Sequence, residues 1–291
     1  MRKWFIAALA ITLASCEKDI NFDLAETSPV LVVDAQIEND LPPTVVLTKS
    51  LSYFSNISPD LLANAFVHDA EVYISNGVLT HKMKEYSYPL VPGFTGYYYG
   101  IDSSSLSTAF TGAYNTSYSL RIVSEGKEYT AQTSIPVLRG VLDSVWVKVA
   151  PQNPDTNKRV LFVRGTDPVG RGDYARYFTK VNSGPFLPGE NSVFDDQVID
   201  GTTFDVQLVR GIDRNDPPKS DSNFFKKGDT ITVKFANIDK PTYTFWNTWE
   251  FAYQSIGNPF AQPNKVIGNV SNGALGVFAG YGAVYRTIIA N

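Results

Sequence analysis

The sequence is poor in the residues that most often carry chemistry. Among 291 residues it has one cysteine, Cys16, and two histidines, His68 and His81. A lone cysteine closes no internal disulfide, and two histidines leave little for a His-based metal centre or triad. Acidic residues outnumber basic ones by 29 to 25, and the basic residues form no patch, which excludes a nucleic-acid backbone as the main partner. Long apolar runs are also missing. The run Trp4–Leu13 spans ten residues, against the ~20 that a membrane-spanning helix needs.

That short run sits in a recognisable setting. Arg2 and Lys3 precede it, and Ala14, Ser15 and Cys16 follow it. A positive start, an apolar middle and small residues before a cleavage point form the layout of a secretory signal peptide. Leu13-Ala14-Ser15-Cys16 resembles the bacterial lipobox, in which the cysteine is lipidated and becomes the first residue after cleavage. The resemblance implies that residues 1–15 are removed and that Cys16 carries the lipid. Each buried lipid CH₂ contributes about 0.8 kcal/mol, so several acyl chains on one residue make a stable anchor. An ordinary secreted protein is the alternative. Glu17-Lys18-Asp19 resembles the export signal that Bacteroidota place after the lipidated cysteine of surface lipoproteins. It implies an outer-membrane protein facing the cell exterior, with a periplasmic orientation as the alternative.

Without residues 1–15, and so without Arg2 and Lys3, 276 residues remain, 23 basic and 29 acidic, a formal balance of −6. At 43% hydrophobic and 13% aromatic, such a chain can bury one large core or two ordinary ones. Residues 16–29 read as a tether. Asp19, Asn21 and Asp23 are spaced like the start of a calcium loop, but Leu24 stands where that loop needs glycine.

From 30 to 138 the pattern has a period of two. Val30–Ile37, Thr44–Thr48, Glu71–Ile74, Tyr118–Val123 and Glu128–Ala131 read as strands. Asn76-Gly77 and Glu125-Gly126 supply turns, and residues 50–68 a long connection with one helical turn. The fold expected is mostly β: an N-terminal immunoglobulin-like β-sandwich over 30–138, then a second β-rich domain over 139–291. The second half again reads as strands, at Asp143–Val149, Val160–Arg164, Tyr174–Val181, Phe204–Val209 and Thr230–Phe235, with loops at Gly184–Glu190 and Asp213–Ser220. One stretch differs. Phe245, Trp246, Trp249, Ala252, Tyr253 and Ile256 recur at helical spacing and predict one amphipathic helix near the C-terminus, over 242–256.

In this half the chain resembles a Bacteroidota lipoprotein family catalogued as domain of unknown function 4249. The resemblance rests on Asp167-Pro168, Asp173–Tyr177, Val193–Gln197 and Gly228–Val233, and most specifically on Tyr243–Trp246, Gly257–Phe260 and Gly276–Tyr281. Members often read Ser-Asn-Ile-x-Gly-Gly where this chain has Gly268–Gly273. The resemblance implies an envelope lipoprotein whose partner is a TonB-dependent transporter. It implies no catalytic residue and no cofactor.

The remaining candidates are few. Gly280-Tyr281-Gly282 is followed by Tyr285 where a dinucleotide fingerprint needs glycine, so phosphate binding is rejected. Asp195 and Asp196 are adjacent and on a strand would point to opposite faces, a poor geometry for acid/base work. With Asp200 they suit a turn, and a calcium ion second. Asp213–Asp216 reads the same way. His68-Asp69 lacks a nucleophile elbow and reads as a surface histidine. Tyr97, Tyr98 and Tyr99 are candidate ligand contacts; alternation puts Tyr97 and Tyr99 on one face and Tyr98 on the other, and one face must be core. The expected role is a non-enzymatic accessory or ligand-binding partner of a TonB-dependent uptake system. The alternatives are a structural component of an envelope assembly or adhesion complex, and a surface hydrolase.

Overall fold

The computed structural model describes residues 28–291, other than 53–54, 92, 140, 152, 216–222, 259 and 263. The leader, Cys16 and nearly all of the tether lie outside the described residues, as do Gly140, Asp216 and Pro259.

Alternation builds the first half. In β1 (Leu31–Glu38), Leu31, Val33, Ala35 and Ile37 are buried, and β2 (Thr44–Lys49) answers with Val45 and Leu47. After α1 (Pro59–Ala63), capped by Ser58, come β3 (Glu71–Ser75), β4 (Thr80–Lys82), β5 (Lys84–Val91) and β6 (Phe94–Gly100). β7 (Thr116–Ser124) and β8 (Lys127–Ile135) close this half. Strands β4-β3-β7-β8 form a four-stranded sheet that buries Val72, Ile74, Leu120 and Ile122 against β1 and β2, which is the sandwich core. The two turns differ. Glu125 and Gly126 have φ of 50° and 74°, the paired positive angles of a two-residue hairpin. At Asn76-Gly77 only the glycine is left-handed; Asn76 instead accepts the N–H groups of Val78 and Leu79 at 3.0 and 2.8 Å.

The second half holds β9 (Val141–Val149), β10 (Lys158–Thr166), β11 (Tyr174–Val181), β12 (Leu187–Asp195), β13 (Thr203–Leu208), β14 (Phe225–Lys226) and β15 (Thr230–Ile238). Helix α2 (Lys240–Gln254) and the fifteen-residue β16 (Leu275–Ile289) complete it. Strands β9, β10, β13 and β14 form a second four-stranded sheet. The segment expected as a loop at Gly184–Glu190 runs into β12, because a bulge between Arg176 and Phe178 lets β11 pair past Pro188.

The chain is mostly β with one long helix near its end, as its pattern predicts. The sheets, however, are shared. Eight strands form one long sheet in the order β12-β11-β15-β16-β1-β2-β6-β5. β16 runs parallel to β1 through its first half and antiparallel to β15 through its second. The boundary read at 138 marks where the chain crosses over; the long sheet continues through it.

The faces of β16 explain the layering. Phe278 enters the first core, and Val284 and Ile288 enter the second, with Leu161, Val163 and Val233. On the opposite face Val277, Ala279, Tyr281 and Ala283 meet α2. Both small sheets therefore lie on one face of the long sheet and the helix on the other. Gly280 allows a close contact with β8: a Cβ there would lie 2.4 Å from the carbonyl oxygen of Ser134. The strand it admits is β8, on the face opposite the helix.

Helix α2 begins where Asp239 accepts the N–H of Thr242 at 2.9 Å, with Pro241 in its first turn. The second oxygen of Asp239 accepts Ser134 N–H at 2.8 Å and Thr133 O–H at 3.0 Å, tying the cap to β8. Phe245, Trp246 and Trp249 pack inward as their spacing predicts. Ile256 lies past the last turn and is exposed, while Glu250 is buried.

Candidate functional site

The long sheet brings together three groups of polar and aromatic residues. The first is acidic. Asp167 follows β10, Asp173 precedes β11 and Asp196 follows β12, so three strand ends converge. The loops hold one another: Asp167 N–H donates to the Thr202 carbonyl at 2.9 Å, and Asp196 N–H to the Asp173 carbonyl at 3.2 Å. Gly170 and Gly172, at φ of 125° and 113°, let the first loop bend inward. Oxygens of the three carboxylates lie within 4.8 Å of one another. Asp196 accepts the N–H groups of Gly172 and Asp173 at 2.7 and 3.1 Å. One oxygen each of Asp167 and Asp173 is buried with no hydrogen-bond donor. Burial raises both carboxyls above their ordinary value, and the neighbouring acids raise them further. Arg139, 3.5 Å from Asp173, opposes this. An apolar cavity of about 30 Å³, walled by Leu142, Val163, Phe194 and Phe235, lies beneath the cluster.

Adjacency singled out Asp195 and Asp196 but could not reveal this cluster. As alternation requires, the two part company: Asp196 joins the buried group, whereas Asp195 accepts from Tyr243 and Gln197. They form no shared acid pair. Asp213 accepts the N–H of Asn215 at 2.9 Å, a local turn of the kind expected. His68 pairs with Glu85 at the surface, ahead of β3. His81 is fully buried between the Thr108 hydroxyl and the Asp102 N–H, each 2.9 Å away, and burial lowers its basicity.

The second group lies under α2. The Arg176 guanidinium sits 3.5 Å from the centre of the Trp246 ring and donates to Ser192 Oγ at 3.0 Å and Tyr281 Oη at 3.1 Å. Glu250 accepts the Ser192 N–H at 2.8 Å and Arg214 at 3.1 Å. Arg214 also lies over Trp249 and donates to the carbonyls of Gly189 and Glu190. The network draws on β11, β12, β16, α2 and the loop that carries Arg214, so no spacing in the sequence could show it. Asp34 stands on the same face of the long sheet and is exposed to solvent; the protein close around its carboxyl raises it and Arg176 pulls it back.

The third group contains the aromatic candidates. Tyr99 is 3% exposed, donates to the Val67 carbonyl at 2.9 Å and accepts the Ala70 N–H. It belongs to the first core. Tyr97, on the same side but beyond the core edge, meets Phe66 and His68 edge-on. Tyr98 faces the opposite way and stacks on Tyr86 with ring centres 5.7 Å apart, while Tyr88 meets it edge-on at 5.8 Å. The reading at 97–99 missed Tyr86 and Tyr88 because β5 brings them alongside by register. β5 is the end strand of the long sheet, and its tip carries Leu90 and Val91, each about half exposed.

The family model described as "Domain of unknown function (DUF4249)" matches residues 17–287. No curated protein matches the chain.

Proposed function

The chain belongs to the DUF4249 family, and on that premise we propose an accessory role at the bacterial outer membrane. The protein is anchored by lipid on Cys16, faces the cell exterior and serves a TonB-dependent transporter as a non-enzymatic partner or ligand-binding module. The leader ending in Leu13-Ala14-Ser15-Cys16 supports the anchor.

The observation that carries the partner role is the β5–β6 hairpin. An end strand with free backbone groups, an apolar tip and a face of three tyrosines is a ready surface for another chain. Tagged protein drawn from solubilised outer membrane should bring a transporter with it. Leu90→Asp combined with Val91→Asp should weaken that recovery with folding intact, because both side chains are exposed. Recovery of no transporter refutes the reading, and a stoichiometric complex of other envelope proteins would favour a structural role.

A further inference from the structure

The acidic cluster at the ends of β10, β11 and β12 holds three carboxylates close together. Asp167 is 6% exposed and Asp196 is 3% exposed, and their carboxylates share a 4.8 Å neighbourhood with that of Asp173. Like charges this close repel strongly where water is excluded. The cations at hand are poorly placed to offset them: Arg139 reaches only Asp173, at 3.5 Å, and Arg171 stands 3.8 Å from Asp200 on the rim. Both arginines are well exposed to solvent. Independently of the charge count, the Oδ2 atom of Asp167 is buried with no donor, although the carboxyl receives a backbone hydrogen bond from Gly201. Buried carboxylate oxygens almost always find one, and an ion is among the few things that replace it.

We propose that Asp167, Asp173 and Asp196 bind a calcium ion. The ligand set is all oxygen, with neither cysteine nor histidine in the cluster, which selects a hard cation over zinc or copper. Calcium accepts six to eight oxygens in flexible geometry, so water can complete the sphere on the half-open Asp173 side. Magnesium demands a near-ideal octahedron and keeps most of its water, a poor match to oxygens already buried. Asp200 adds negative charge from the rim while its own oxygen takes the Gly170 N–H at 2.7 Å.

The ion would act as a clamp. Asp167 ends a strand of the small sheet, whereas Asp173 and Asp196 flank strands of the long sheet, so one ion ties the two layers of the second sandwich together above the cavity. Extracellular calcium modules bind with Kd of about 10⁻⁴–10⁻³ M. A protein displayed outside the cell would then be rigid only where calcium is plentiful.

The full mature chain, stripped with EDTA, tests this through thermal melting against added calcium and through terbium luminescence excited at tyrosine, Tyr174 lining the same cavity. With a Kd near 10⁻⁴ M, 10 mM calcium should shift the folding equilibrium about 100-fold, and terbium emission should saturate and be displaced by calcium. Asp167→Asn and Asp173→Asn should each weaken calcium binding at least 10-fold, with the calcium-free melting point unchanged or higher. An unchanged wild-type melting point at 10 mM calcium, without saturable terbium emission, overturns the site and leaves protons to balance the cluster. An equal response to magnesium overturns the choice of calcium. Should either variant fail to fold, the wild-type titration alone decides.

Discussion

Glu250 offers the sharpest test of how α2 is held. Its side chain is 4% exposed and accepts from the Ser192 N–H, the Ser192 hydroxyl and Arg214. Glu250→Ala removes the acceptor of all three bonds, leaving Arg214 without its carboxylate and the buried Arg176 without the nearby negative charge that favours it. Burial already disfavours the charged form of Arg176, with Tyr281 and Glu250 working against it. Breaking a buried pair from one side typically costs about 3–5 kcal/mol. The lower end is expected, because Arg214 keeps the carbonyls of Gly189 and Glu190 at 3.0 and 3.3 Å. For a chain of this size, roughly 3 kcal/mol corresponds to a fall of about 6–12 °C in Tm. Glu250→Gln keeps one acceptor and should lose about 1–2 kcal/mol. Urea unfolding followed by tryptophan fluorescence suits the measurement, since Trp246 and Trp249 line the network. Replacing Arg214 and Glu250 together by methionine should recover most of the loss, because apolar packing avoids the desolvation of both charges. A Glu250→Ala protein within about 0.5 kcal/mol of wild type would show that the aromatic stripe alone pins the helix, and the argument from buried charge would fail.

Three further outcomes follow from the same structure. Gly280→Ala places a methyl group 2.4 Å from the Ser134 carbonyl oxygen, so β8 and β16 must separate; denaturant unfolding should report a loss of about 1–3 kcal/mol. Asp239→Ala removes the helix cap and two bonds to β8 and should cost about 2 kcal/mol; Asp239→Asn, which keeps only one of the two acceptor oxygens, should cost about 1 kcal/mol, both compared by thermal melting. Asp34 supplies a pH signature. The protein around its solvent-exposed carboxyl raises it above its ordinary value, against the pull of Arg176, so its contribution to stability, small after solvent screening, is full below the unfolded value and is lost as pH rises through the folded one. Asp34→Asn should therefore melt higher than wild type at pH 7, with the difference vanishing near pH 3.8; a lower melting point at pH 7 would reverse the sign.

Much of the strand framework was legible because alternation depends only on neighbours. β1, β2, β7 and β8 appear where Val, Ile, Leu and Tyr alternate with polar residues, and α2 where aromatics recur at three- and four-residue steps. β5 was not legible. Its burial pattern is exposed or half-buried throughout, so no face of it carries an apolar signal. β12 was hidden by Pro188 and Gly189, which suggest a loop until β11 bulges to receive them. Among the candidate residues, Asp196 drew notice through its neighbour Asp195, but Asp167 and Asp173 lie far back in the chain and carry no local signal. Tyr98 was placed on its correct face by alternation, and its partners Tyr86 and Tyr88 required the register of β5.

What the sequence by itself determined is local: the leader layout around Cys16, the β-rich class and the helix near the C-terminus. These depend on residues within a few positions of one another, where propensity, spacing and capping act. What only the tertiary structure decided is which distant segments meet. β16 joins both halves into one sheet because a single long strand can satisfy the hydrogen bonds of β1 on one side and β15 on the other. That union gathers the acidic loops, the buried arginines and the tyrosine face, since backbone pairing and burial constrain the chain across hundreds of residues and leave no periodic trace along it.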